Sequence, residues 1–224
     1  VHMRAVVAQN LAGIDISQTA VSIAELRLWL AIAATLPDGN PHSVEPLPNL
    51  SHRIRVGNAL HREVASGTGA APTAALRAEL RATASRFSTV HGPAKAELEQ
   101  SMRRLEREIA ARNLEAAAEA RALEEAALER AALSLDLFGE TSETPAARRT
   151  RLALGEQAAR LRQQADRCRR GDWTPAFDVD VSFADVMAEG GFDWIIGNPP
   201  WVRMLEIPAE ERTMLREHYR WICL

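Results

Sequence analysis

Aromatic side chains are scarce in this sequence: Phe, Trp and Tyr make up 5% of its 224 positions. A core must therefore rest on aliphatic residues, and much of the 46% hydrophobic content is alanine. Cysteine is scarcer still. Cys168 and Cys223 share no redox or metal-ligand spacing, which excludes a disulfide framework and a thiolate metal site. The six histidines, His2, His42, His52, His61, His91 and His218, are scattered and form no paired motif, so no metal is expected. No apolar run approaches the ~20 residues that a bilayer-spanning helix requires, and no signal peptide is evident. A cytoplasmic protein without a membrane partner is the expectation. Basic charge is also lacking, with Lys+Arg 27 against Asp+Glu 30 and a net charge of -3. Phosphate neutralisation supplies most non-specific affinity for nucleic acid. If DNA is the substrate, most of the grip must come from somewhere other than the overall charge.

What is present falls into three textures, suggesting boundaries at 1–70, 71–172 and 173–224. In the first, Val6-Val7 and residues 11–16 read as a short buried strand. Residues 17–34 read as a helix capped by Ser17 or Thr19, with Val21, Ala24, Leu28 and Ile32 on one face. Pro37-Asp38-Gly39-Asn40-Pro41 should stop it, and the alternation over residues 53–57 suggests a second strand. The middle texture is dominated by Ala, Glu, Arg and Leu, all strong helix formers except that the run also carries little else. Residues 94–133 contain neither Gly nor Pro and would make a rod of ~60 Å. Leu98, Met102, Leu105 and Ile109 step along it as a coiled-coil seam. A turn near residues 138–145 and a returning helix over 146–169 complete an antiparallel helical hairpin inserted into a globular domain. In the third texture, Phe177 to Phe183 alternates as a half-buried strand, and residues 192–197 read as a buried parallel strand. The whole is an α/β pattern, in which ligands sit at the carboxyl ends of strands. Asp15, Asn58 and Asn198 all fall at or just beyond such ends.

The stretch Asn198-Pro199-Pro200-Trp201 carries the most chemistry. Two prolines fix the backbone and remove two donors, leaving nearby carbonyls free to accept. The Asn198 amide adds another acceptor, and Trp201 offers a flat stacking face. An amine held between two oxygen acceptors points its lone pair outward, and an extruded base needs such hydrogen bonds together with a stacking surface. A rigid turn after a strand, closed by a buried Trp, would use the same residues.

Asp193-Trp-Ile-Ile-Gly-Asn-Pro-Pro-Trp201 resembles motif IV of the amino-group DNA methyltransferases, written (D/N)PP(Y/F/W). That resemblance implies that Asn198 and the Pro199 carbonyl accept from the target amine while Trp201 stacks on the flipped base, with Pro200 holding the turn. Leu11-Ala-Gly-Ile-Asp-Ile-Ser17 resembles motif II, which implies that Asp15 binds the ribose of S-adenosylmethionine and Ile16 packs on its adenine. Many relatives carry Asp where Ser17 stands. Arg55-Val-Gly-Asn-Ala-Leu60 resembles motif III, giving Asn58 a cofactor contact, although Asp is commoner there. Read by itself, each of these last two stretches is as well explained by a helix cap or a turn. The resemblance covers residues 4–62 and 175–205, and the helical zone matches only in composition. It is strongest to long methyltransferases of restriction and phage-defence systems, which carry a helical insertion between motifs III and IV.

The resemblance implies a fold: a partial Rossmann-like methyltransferase sheet interrupted by a long antiparallel helical insertion. It also implies an activity, methyl transfer from S-adenosylmethionine to adenine N6 in DNA, which needs alignment more than acid or base strength. Motif I, the glycine-rich loop that wraps the methionine end of the cofactor, has no counterpart before Asp15. The expectation is therefore a fragment, inactive alone and completed by missing methyltransferase segments, with specificity or restriction subunits as further partners. A non-catalytic helical interaction module is the competing reading. The helical zone itself is either a solvated, mixed-charge spacer or an arm that docks a partner or clamps DNA.

Overall fold

The N-terminal apolar residues do not extend. In the structure, a computed structural model that describes residues 2–35, 47–59, 73–87, 89–133, 143–172, 177–198, 207, 212 and 215, they form helix α1 (His2–Ala5) and a π-helical turn (Val6–Asn10). This corrects the strand expected at Val6-Val7. Only Val7 of that pair is buried, and a helical turn satisfies its backbone locally while one side chain reaches the core. Outside the described residues lie the stop at Pro37–Pro41, most of the 138–145 turn, Leu60, Pro199, Pro200, Trp201 and Cys223.

Strand β1 (Gly13–Asp15) leads into α2 (Gln18–Ala33) and then β2 (Ile54–Val56), which lies parallel to β1 in a two-stranded sheet. Ser17 caps α2, its hydroxyl accepting from the Ala20 amide at 3.3 Å. The expected face of α2 is the one that packs. Val21 and Ile32 join Val7, Leu50 and Ile54 in a core flanked by Ala24, Leu28 and Trp29. Trp29 Nε1 donates to the Pro48 carbonyl at 3.1 Å, which ties the helix to the approach of β2.

Helix α3 (Ala74–Phe87) follows, then the 40-residue α4 (Pro93–Ala132) and the 26-residue α5 (Pro145–Arg170). Thr144 caps α5 at its start and Gly171 ends it at φ 80°, a left-handed conformation that suits glycine. The chain divides into two compact units, one of Val1–Glu63, Arg81–Leu98 and Ala176–Leu224, the other of Val64–Leu80 and Glu99–Pro175. In the second unit α4 and α5 run antiparallel: Arg107 meets Cys168 and Gly155 faces Glu125, so one number rises as the other falls. Ala111, Leu114, Ala165 and Cys168 are buried together, small residues that let the helices approach closely. Arg169 reaches from α5 to Glu108 and, through both terminal nitrogens, to Glu115 at 2.6 and 2.7 Å.

Two strand expectations in the first unit are overturned. Residues 179–182 form a helical turn, α6 (Val179–Ser182), followed by α7 (Ala184–Ala188). Asp178 and Val179 carbonyls accept from Ser182 and Phe183 at 2.8 and 3.0 Å. No described strand lies alongside, so local bonds satisfy a backbone that the alternating pattern alone would have extended. Residues 194–198 adopt no regular structure, and Trp194, Ile195 and Ile196 are 88%, 85% and 97% exposed. An apolar run becomes a buried strand only where neighbours pair its edges and cover its faces. The described fold is therefore mostly helical around a small parallel sheet, consistent with part of an α/β methyltransferase. Among the described residues, no helix is long and apolar enough to cross a membrane.

Candidate cofactor and target-base site

Parallel pairing brings two of the sequence-derived residues to one edge. The register matches Gly13 with Ile54, Ile14 with Arg55 and Asp15 with Val56. Beyond it, the Gly57 amide donates to the Asp15 carbonyl at 2.9 Å, so the chain turns off both strands at the same level. Asp15 and Asn58 thus stand at adjacent carboxyl ends. Asp15 is exposed, and its Oδ1 accepts from the Ser17 amide at 2.8 Å. That bond orients the carboxylate while Ser17 simultaneously caps α2. Ile16 follows at 76% exposure, an apolar side chain held open beside the acid. Asn58 is half-buried.

The edge is held by contacts from far along the chain. A Cβ on Gly57 would overlap the Phe177 ring, so glycine is needed where these segments touch. Phe177 and Phe192 each set an edge-on ring against the buried Phe183, at 6.0 and 5.6 Å between centroids. Arg53 pairs with Asp185 at 2.8 Å, and Arg55 donates to the Ser182 carbonyl at 3.4 Å. On the other side of the turn, the buried Asn49 donates to the Phe87 and Val90 carbonyls, both at 2.7 Å. It thereby accepts the task of closing the open end of α3. His52 packs edge-on against Phe87 at 5.5 Å, and its Nδ1 is buried without a hydrogen-bond partner among the described residues. Burial, reinforced by Arg53 and Arg55 and opposed by Asp185, lowers the His52 pKa from 6.5 to about 4. The ring is neutral at ordinary pH.

These supporting residues escaped the sequence reading. Asn49 had one signal, its place in a Pro-Leu-Pro-Asn run before a strand; the Arg53–Asp185 pair spans too much sequence to leave any. Asn198 is exposed at the end of the irregular run. The structure brings Asp15 and Asn58 to neighbouring strand ends.

The residues at the strand ends suit a ribose-bearing, adenine-bearing cofactor. An exposed carboxylate can accept from a vicinal diol, an adjacent exposed isoleucine can cover a flat base, and an amide can read its edge. Comparison with known proteins points the same way. The family profile described as Eco57I restriction-modification methylase matches residues 9–221. A stretch of 56 residues is 41% identical to a protein of Methanocaldococcus jannaschii named as a candidate type II restriction enzyme and methyltransferase. That stretch is 25% of this chain and 5% of the archaeal protein, so the chain corresponds to a small part of that relative's length. No solved structure matches.

Proposed function

The chain belongs to the Eco57I restriction-modification methylase family, and from that premise we propose that it is the cofactor- and base-binding part of a DNA adenine-N6 methyltransferase. One observation carries the reading: parallel pairing of β1 with β2 sets Asp15 and Asn58 at neighbouring strand ends, with Ile16 exposed between the acid and the helix cap. Asp15 accepts from the ribose hydroxyls, Ile16 covers one face of the cofactor adenine, and Asn58 hydrogen-bonds to it. S-adenosylmethionine, when bound, supplies an electrophilic methyl group.

The target base is handled by Asn198, Pro199, Pro200 and Trp201. The Asn198 side-chain oxygen and the Pro199 carbonyl accept from the exocyclic amine, and Pro200 keeps that carbonyl in place. Trp201 stacks on a base flipped out of the duplex, repaying part of the unstacking cost. Aligning the nitrogen lone pair is the residues' main contribution, since bringing reactants into line can supply several kcal/mol of a barrier. The amide and carbonyl acceptors favour an amine over a ring carbon, and an opening Asn in the motif favours adenine N6. DNA is the macromolecular partner, with further methyltransferase segments and specificity or restriction subunits as associated parts.

The test is calorimetric titration of the chain with S-adenosylmethionine, alongside Asp15→Ala and Asn198→Ala. Micromolar binding is expected, weakened at least tenfold in Asp15→Ala by loss of a charge-assisted hydrogen bond of ~1.5–3 kcal/mol and unchanged in Asn198→Ala. Equal affinity in the Asp15 variant, from protein shown to be folded by circular dichroism, would overturn the assignment of the cofactor site.

A further inference from the structure

The two helices of the hairpin differ in charge in a way that the net value of -3 conceals. Helix α4 carries seven Lys or Arg against nine Glu, whereas α5 carries eight Arg against only Glu156 and Asp166. In α4 the charges neutralise one another within a turn: Glu99 with Arg103, Glu108 with Arg112, Arg121 with Glu124. Three arginines of α5 are also consumed, Arg151 by Glu143, Arg169 by Glu108 and Glu115, and Arg170 by Asp172.

The remainder behave differently. Arg149, Arg160 and Arg167 are exposed, and no ion pair is recorded for them among the described residues. Their spacing of eleven and seven residues places them within about 20° of one line along the helix, at 3.6 residues per turn. That line lies opposite the buried Ala158 and Ala165. The row is about 27 Å long, the axial length of about eight DNA base pairs. One turn either side of Arg149 the described chain places no acid, and near the rest of the row the only acids of α5 are Glu156 and Asp166. In α4 acids outnumber bases, whereas in α5 eight arginines face two acids. The row leaves exposed positive charge along one face of a 26-residue helix.

We propose that the Arg149–Arg160–Arg167 face of α5 docks on the phosphate backbone of the DNA duplex. The inference rests on the methyltransferase reading for the identity of the polyanion, and on the hairpin alone for the surface. It locates the electrostatic grip that the overall composition lacks. The contact is sequence-independent, because guanidinium groups on phosphates carry no base information. Each neutralised phosphate contributes about 0.9 to the slope of log affinity against log salt.

The experiment measures binding of the full chain to a fluorescein-labelled duplex of arbitrary sequence by anisotropy, over a range of KCl concentrations. It compares the parent chain with a triple variant, Arg149→Gln, Arg160→Gln, Arg167→Gln, and with Arg169→Gln, and follows S-adenosylmethionine binding by calorimetry in each. The expected result is a salt slope flatter by about 2 to 3 in the triple variant, with cofactor binding retained. Arg169→Gln should lower thermal stability and keep the parent slope. Single Arg160→Gln should flatten the slope by about 0.9, which keeps the test sound if the triple variant folds poorly. A parent-like slope in the folded triple variant overturns the inference and leaves the methyltransferase reading standing. Duplex binding through the row without any cofactor binding supports the docking face and removes the methyltransferase reading. If the row variants lose binding to polyglutamate while duplex binding persists, the row serves an acidic protein and the inference falls.

Discussion

Around β2, the contacts that fix the site reach far along the chain: Gly13 to Arg53, Asn49 to Phe87, Arg53 to Asp185, Arg55 to Ser182. Along α4 and α5, by contrast, much of the polar bonding links residues three or four apart, and one arginine supplies the main bridge between the helices. The strand-end region is thus assembled by closing long loops, each at an entropic cost that several contacts must jointly offset. The hairpin is assembled by helix propagation and a buried contact of Ala111, Leu114, Ala165 and Cys168. The difference teaches where each region is fragile: the strand ends through a few irreplaceable side chains, the hairpin through that buried contact.

The largest effect is expected from breaking the hairpin. Leu114, 2% exposed, is buried with Ala165 and Cys168 of α5, and Leu114→Ala should cost about 2–5 kcal/mol. Hydrogen exchange should accelerate across α4 and α5 while the Gly57 amide, bonded to Asp15, keeps its protection. Equal acceleration in both places would show that the two regions are one cooperative unit.

Acid should break the comparison from the other side. The His52 pKa lies below its ordinary 6.5, at about 4, mainly because burial disfavours the imidazolium. The unfolded chain therefore binds this proton more readily. The associated stability is full above pH 6.5 and is lost as pH falls from there towards 4, roughly 3 kcal/mol in all. In the hairpin, burial alone would raise Glu108, but hydrogen bonds from Arg112 and Arg169 outweigh it and hold it below its ordinary 4.5. The hydrogen bond from Arg169 likewise lowers Glu115. These carboxylates stabilise the fold above pH 4.5 and lose that contribution only as pH drops through their lowered values. Acidifying from neutrality to pH ~5 should weaken the strand-end region first. Exchange rates for the Gly13 and Gly57 amides, compared with those of α5, check the order, and His52→Gln should abolish it.

A smaller effect sharpens the comparison at one residue. Gly57→Ala should cost about 1–3 kcal/mol, because its methyl group would overlap the Phe177 ring. It should also weaken S-adenosylmethionine binding by displacing Asn58. Adding Phe177→Ala should restore part of the lost melting temperature relative to the sum of the single changes. Simple additivity in that cycle would mean the two residues do not meet.

Legibility in the sequence followed the same division. Helix α2 was readable down to its Val21–Ala24–Leu28–Ile32 face and to a cap at Ser17 or Thr19, of which the structure uses Ser17, because capping and periodicity are local. The long helices of the hairpin were readable for the same reason. Strand β2 was found by its alternation, but the alternation of residues 177–183 misled, since the same pattern serves a helical turn when no partner strand is at hand. The apolar run before Asn198 misled likewise: burial is a property of neighbours, not of the run. The arginine row was hidden by summing charge over the chain instead of by face.

By itself, then, the amino-acid sequence determined the packing face of α2, the long helices of the hairpin and the residue types at Asp15, Asn58 and Asn198. Only the tertiary structure decided that Asp15 and Asn58 share one edge. It also decided that His52 is buried beside two arginines and that Gly57 must yield to Phe177. The physical reason is range: propensity and periodicity act within a few residues, whereas pairing, burial and packing depend on which distant segments meet.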